Sequence, residues 1–210
     1  MNYLSNYGIM KNYNFLLHTE LDSFMQSIRK IWEVYGKPSY VDQIKVSGES
    51  KHKLVNLDPV HVESTDLGKW LLANIGEIEN CKFFICAPNS WGEVHIDGGI
   101  PPRNCAINIP IYNCEQGLMN WFSNEPDDHK FISNENTNVH STDKNRDIDF
   151  WVPAEQMVLT SPALVRTNIW HNIDNRDNNK HRVVFSFRFK NNPEFDIVKE
   201  KLSRFLFNKF

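Results

Sequence analysis

His95 and Asp97 stand two residues apart in the run Trp91-Gly92-Glu93-Val94-His95-Ile96-Asp97-Gly98-Gly99. Successive side chains of an extended strand alternate between faces, so both groups leave the same face and reach one metal ion. An imidazole and a carboxylate, completed by a second His from a distant strand, make a 2-His-1-carboxylate set with open positions, the arrangement that suits non-haem Fe(II). The pair needs context, because 8 His and 26 acids in 210 residues produce such spacings by chance, as His18-Thr19-Glu20 and His61-Val62-Glu63 show. The distal half supplies that context. Within Pro162 to Ile173 His171 falls on a short strand just after another strand, and a polar turn from Asn175 to Lys180 leads into Arg182 at the head of a long strand. A guanidinium there grips a carboxylate through two parallel charge-assisted bonds, which an ammonium does not match.

Positioning these groups requires strands. After Gly76 the pattern becomes short apolar or alternating runs separated by Pro, Gly and Asn, the pattern of an all-β barrel or sandwich. The expected strands are 81–87, 93–96, 105–111, 118–122, 148–152, 157–160, 164–168, 171–173 and 182–190. The polar segment 123–147 has no clear period and reads as a long loop, placed to act as a lid. Before the strands, 14–35 reads as a helix, with Leu21, Phe24, Met25, Ile28, Ile31 and Trp32 on one stripe, and 67–75 as a second, shorter one. Residues 193–210 read as a C-terminal helix. The chain is expected to be one domain over 1–210: a helical region 1–76, a β core 77–190 and the helix 191–210.

A hydrophobic content of 40% fits a folded globular chain, and a net charge of −3 gives no reason to expect a phosphate-tracking surface, so nucleic acid is neither supported nor excluded as a partner. No apolar run is long enough to span a bilayer and the N-terminus lacks a secretory pattern, so no membrane role and a cytoplasmic location are expected, the host cytoplasm if the gene is a phage's. Cys81, Cys86, Cys105 and Cys114 show no Cys-x-x-Cys or zinc-ribbon spacing and read as buried, reduced thiols.

The order His95-x-Asp97, then His171, then Arg182 eleven residues later at the start of a strand resembles the Fe(II)- and 2-oxoglutarate-dependent dioxygenase superfamily. The likeness runs over residues 80 to 190. Text such as Asn108-Ile109-Pro110-Ile111-Tyr112 and Met119-Asn120-Trp121-Phe122 is similar to small stand-alone phage and bacterial oxygenases. The resemblance implies a mainly β fold with flanking helices, a double-stranded β-helix (jelly-roll, cupin-like). It implies iron held by His95, Asp97 and His171, and Arg182 on the distal carboxylate of 2-oxoglutarate. O2 and 2-oxoglutarate would be coupled to succinate and CO2, with hydroxylation of a small molecule, amino acid or protein side chain as the default outcome. Many members carry Ser two residues after the Arg. Val184 stands there and Ser186 follows two later, so Asn108, Tyr112 or Trp121 is expected to supply the second co-substrate contact.

Other readings stay open on the residues themselves. A cupin-like protein that binds metal without turnover, an interaction module on the same barrel, and a nucleobase oxygenase are the alternatives. Arg103 is either an exposed loop cation or a grip on an anionic substrate, and Arg188, on the same strand face as Arg182, is a competing co-substrate anchor.

Overall fold

Alternation of large apolar and polar residues along Cys81 to Cys86, Cys105 to Tyr112 and Arg182 to Phe189 gives each of these runs two different faces. That decides how the layers stack. The computed structural model describes residues 12–15, 19–36, 52–98, 101–124, 130–134, 137–141 and 150–203. In chain order the strands are β1 (Tyr13–Phe15), β2 (His52–Asn56), β3 (Ile78–Cys86), β4 (Ser90–Trp91), β5 (His95–Asp97), β6 (Cys105–Tyr112), β7 (Leu118–Phe122), β8 (Lys130–Asn134), β9 (Thr137–Ser141), β10 (Pro153–Val158), β11 (Ala163–Arg166), β12 (His171–Asn175) and β13 (Arg182–Phe189). The helices are α1 (Thr19–Ile31), continued by a π-helical turn Trp32–Gly36, α2 (Val60–Glu63), α3 (Asp66–Asn74) and α4 (Phe195–Lys201).

Two antiparallel sheets form. The larger in extent, with the longer strands, is six-stranded in the order β1-β11-β6-β13-β3-β2, and the smaller is seven-stranded but of shorter strands, β10-β7-β12-β5-β9-β8, with β4 paired to β12. Chain-adjacent strands cross between sheets, so the fold is mainly β with flanking helices, a double-stranded β-helix. On the larger sheet, Phe83, Ile85, Ile107, Ile109, Val183, Phe185 and Phe187 face the helices and pack on Phe24, Ile28, Trp32, Leu71 and Val198. Each such side chain contributes about 1.5–3 kcal/mol on burial. The opposite face of this sheet looks into the barrel, where Ala106, Val165 and Val184 meet Met119, Trp121 and Met157. A third cluster, Val94, Phe122, Trp151 and Trp170, gathers apolar groups that alternate away from that interior.

Several expectations are corrected. The segment 123–147, expected as a loop, contains two strands, β8 paired with β9 and β9 with β5, while 125–129, 135–136 and 142–147 lie outside the described residues. Of the strand expected over 148–152, residues 150–152 are not in a strand and 148–149 lie outside the described residues. Phe150 to Val152 lead into β10, which replaces the expected strand 157–160, and Trp151 joins the third cluster because its ring packs on Phe122 and Trp170. The helix expected over 14–35 starts at Thr19, and Tyr13–Phe15 instead extend the larger sheet beside β11. The helix over 67–75 is present with a cap: Thr65 Oγ1 accepts the Gly68 N–H at 2.9 Å. The C-terminal helix covers Phe195–Lys201, and 204–210 lie outside the described residues. All four cysteines are free and buried.

Candidate metal centre and its surroundings

β5 is only three residues long, and its alternation sends Ile96 to the third cluster and His95 and Asp97 to the barrel side. β12 lies alongside, with His171 opposite His95 in register. The sequence after Asp97 turns sharply: Gly98 has φ +87°, and a Cβ there would also meet the Arg103 side chain at 2.3 Å, so glycine is required.

The three side chains converge. One ligand atom from each of His95, Asp97 and His171 lies within 4.8 Å of the others. His95 Nε2 is 3.4 Å from Asp97 Oδ1, and His171 Nε2 is 3.7 Å from Asp97 Oδ2. Ligands on one face of an octahedral ion, at bonds of about 2.1 Å, stand about 3 Å apart. A small inward movement therefore brings the set onto a metal. The tautomers are fixed for it. His95 Nδ1 lies 2.8 Å from the Glu93 carbonyl and His171 Nδ1 2.7 Å from the Ile169 carbonyl, and a carbonyl only accepts. Each Nδ1 must donate, so in the neutral imidazoles it is Nε2 that carries the lone pair toward Asp97.

Charge is arranged to match. Burial alone would raise the Asp97 pKa, but the Arg188 guanidinium and then the two imidazoles hold it far below the carboxylate range, so it is anionic. Arg188 bonds directly to Asp97 Oδ2. His171 is lowered to about 4 by burial and by the neighbouring His95, so it is neutral. For His95 burial acts downward, yet the hydrogen bond and charge of Asp97 outweigh it and the net shift is upward.

Arg182 is 2% exposed and heads β13 at the other end of the barrel. Its Nε is buried without a partner, and no carboxylate pairs with its guanidinium among the described residues. The Cys86 thiol bonds to it, and the Cys114 thiol lies near enough to feel its charge. Gly117 makes the room: a Cβ there would sit 2.6 Å from Arg182 Cδ. The turn that delivers it is tied by Asn175, whose Nδ2 donates to Ala87 O at 2.7 Å, and by Asn178, whose Nδ2 donates to Asn175 Oδ1 at 3.0 Å.

The remaining expected contacts divide. Asn108 lies on the barrel side of β6, opposite Ser186, and its amide makes only a 3.9 Å contact to Met119 Sδ. Trp121 is buried in the barrel, but its indole N–H already donates to Arg166 O at 2.9 Å, which leaves only its ring to offer. Tyr112 is 46% exposed at the end of β6, apart from the cluster. Arg103 bonds to Glu79 at 2.7 Å. Arg188 does face the barrel, where it meets Asp97. Sequence reasoning missed Lys82, on β3, which faces the same interior and feels the charges of Arg188 and Asp97. The one available signal was its placement as a lone cation in an apolar strand.

Fold and site together define a double-stranded β-helix protein with a facial His-Asp-His cluster. No protein-family model matches the chain, and no curated protein matches it. Among solved structures it is similar to a prolyl hydroxylase from Trichoplax adhaerens in complex with a hypoxia inducible factor peptide, at 12% identity, 85% of this chain, 83% of that chain and TM-score 0.40. It is similar to the epimerase SnoN in complex with Fe3+, alpha ketoglutarate and nogalamycin RO, at 10% identity, 85% and 79% coverage and TM-score 0.44. It is also similar to Bacillus subtilis oxalate decarboxylase, at 12% identity and TM-score 0.34, with 73% of this chain matching 29% of that longer one. At such identities and scores, the chemistry has to be read from the residues of the site. No helix among the described residues is long and apolar enough to cross a membrane.

Proposed function

We propose that this protein is a non-haem Fe(II)- and 2-oxoglutarate-dependent dioxygenase acting as a hydroxylase. The observation that carries the reading is the pairing, inside one barrel, of a tautomer-fixed His-Asp-His cluster with a buried guanidinium that no carboxylate among the described residues neutralises. A buried unpaired charge is costly, and a bound dianion is what would relieve it.

His95, Asp97 and His171 would hold the metal through Nε2, one carboxylate oxygen and Nε2. Arg188 keeps Asp97 ionised and takes one of its oxygens, which favours binding through the other. Arg182 would receive the distal carboxylate of 2-oxoglutarate, with Asn108 as a neutral partner on the same sheet face. Bound Fe(II) and 2-oxoglutarate supply O2-dependent oxidation of a substrate C–H bond, coupled to succinate and CO2. Met119, Trp121 and Val184 keep the barrel interior apolar and exclude bulk water.

The test is anaerobic titration with Fe(II), or Mn(II) as an inert substitute, and 2-oxoglutarate, followed by oxygen-dependent succinate formation. Metal should bind the wild type and be lost from His171→Ala. Unchanged metal affinity and coordination in that variant would remove the triad.

A further inference from the structure

The barrel side of the larger sheet carries three polar side chains in one row. Asn108 on β6 is opposite Ser186 on β13, and Ser186 is opposite Lys82 on β3. Their chain neighbours Ile107, Ile109, Phe83, Phe185 and Phe187 all face the helices, so the row must face the metal cluster. Arg188, two residues beyond Ser186, stands about 6.6 Å further along the strand, within the reach of the Lys82 side chain.

Lys82 is half-buried and has no hydrogen-bond or ion-pair partner among the described residues. The carboxylates on this side of the sheet are taken: Asp97 by Arg188, and Glu79, which lies opposite Arg188, by Arg103. Charge counting shows what is left over. Among the described residues, Lys82, Arg103, Arg182 and Arg188 face two carboxylates, Glu79 and Asp97, a surplus of two positive charges. A divalent metal and dianionic 2-oxoglutarate cancel each other, so loading the site leaves that surplus intact. Arg182 is fully buried in the barrel, whereas Lys82 is only half-buried, which leaves its ammonium the more accessible of the two surplus cations.

We propose that Lys82 anchors a carboxylate of the primary substrate, with Ser186, opposite it on β13, as a neutral hydrogen-bonding partner. The substrate class is then a small organic acid without a free ammonium group next to the carboxylate, since the positive surplus repels one. This assignment rests on the dioxygenase reading above.

The experiment uses the full chain with Mn(II) and 2-oxoglutarate under argon. The probes are matched pairs of N-acetyl-L-amino acids and their uncharged primary amides, with binding read as displacement of metal-bound water by proton relaxation. At least one acid should bind the wild type about tenfold or more tightly than its amide. That preference should vanish in Lys82→Met and survive in Lys82→Arg, which keeps the charge. Equal binding of acids and amides by the wild type, or a preference untouched by Lys82→Met, overturns the assignment. Loss of 2-oxoglutarate binding in Lys82→Met also overturns it, by putting the lysine in the co-substrate pocket. Failure of the wild type to bind Mn(II) and 2-oxoglutarate is a different result: it removes the dioxygenase reading, and this inference with it.

Discussion

Replacing Arg182 by Met should make the ligand-free protein more stable and the loaded protein less stable than the wild type. Met keeps an unbranched stem beside Gly117 and removes a charge that is 2% exposed, has an unsatisfied Nε and faces no carboxylate among the described residues. Exchanging even paired buried charges for apolar groups stabilises by about 1–4 kcal/mol in favourable cases. At the lower end, 1 kcal/mol raises Tm by about 2–4 °C in a chain of this size. 2-Oxoglutarate at a hundred times its Kd adds about 2.7 kcal/mol to a protein that binds it, or about 5–11 °C. The variant should gain almost none of that. Thermal denaturation with Mn(II), with and without 2-oxoglutarate, should therefore show the two Tm values changing order. If Arg182→Met were less stable without ligand and still shifted fully with it, Arg182 would be a satisfied structural residue, and the co-substrate assignment would fail.

Three further outcomes follow from the geometry. Arg188→Gln frees Asp97 Oδ2 from its cation, and metal affinity measured by Mn(II) titration should fall by about tenfold or more; an unchanged Kd would show that Arg188 does not position the carboxylate. Replacing 127–144 by a Gly-Ser turn removes β9 from the edge of β5, so metal binding should weaken while Arg182 stays in place; an unmoved affinity would show that β9 does not hold β5. Burial pushes the Cys81 and Cys105 thiols up to about 12 from 9.0. Their folded pKa is raised, so the stability they contribute is complete below pH 9 and is lost as pH climbs toward 12, by about 1.4 kcal/mol per thiol per pH unit. Urea unfolding from pH 8 to 10.5 should lose stability less steeply in Cys81→Ala than in the wild type, and native thiols should resist a disulfide reagent at pH 8.

The site was legible where it depends on local periodicity. Two-residue spacing put His95 and Asp97 on one face, and the runs around His171 and Arg182 announced their strands. What could not be read depends on which strands become neighbours. Lys82 acquires its meaning only because β3 lies beside β13, and Arg188 finds Asp97 across 91 residues of chain. The β8–β9 hairpin was hidden because Lys130 to Ser141 holds few apolar residues, and pairing at a sheet edge leaves no strong alternation in the sequence. Phe150 to Val152 misled in the opposite way: aromatic residues that cover a third cluster look like a strand in the sequence.

β5 touches β12 through a single register pair, His171 with His95, although Asp97 and His171 are 74 residues apart in the chain. An ion shared by both strands would act as a cross-link across that span. By the entropy of closing a loop of this length, such a link stabilises by up to about 4 kcal/mol, comparable to a disulfide. The cofactor would then be a fastener of the smaller sheet as well as a reagent, and chelation should lower the cooperativity of unfolding along with the activity.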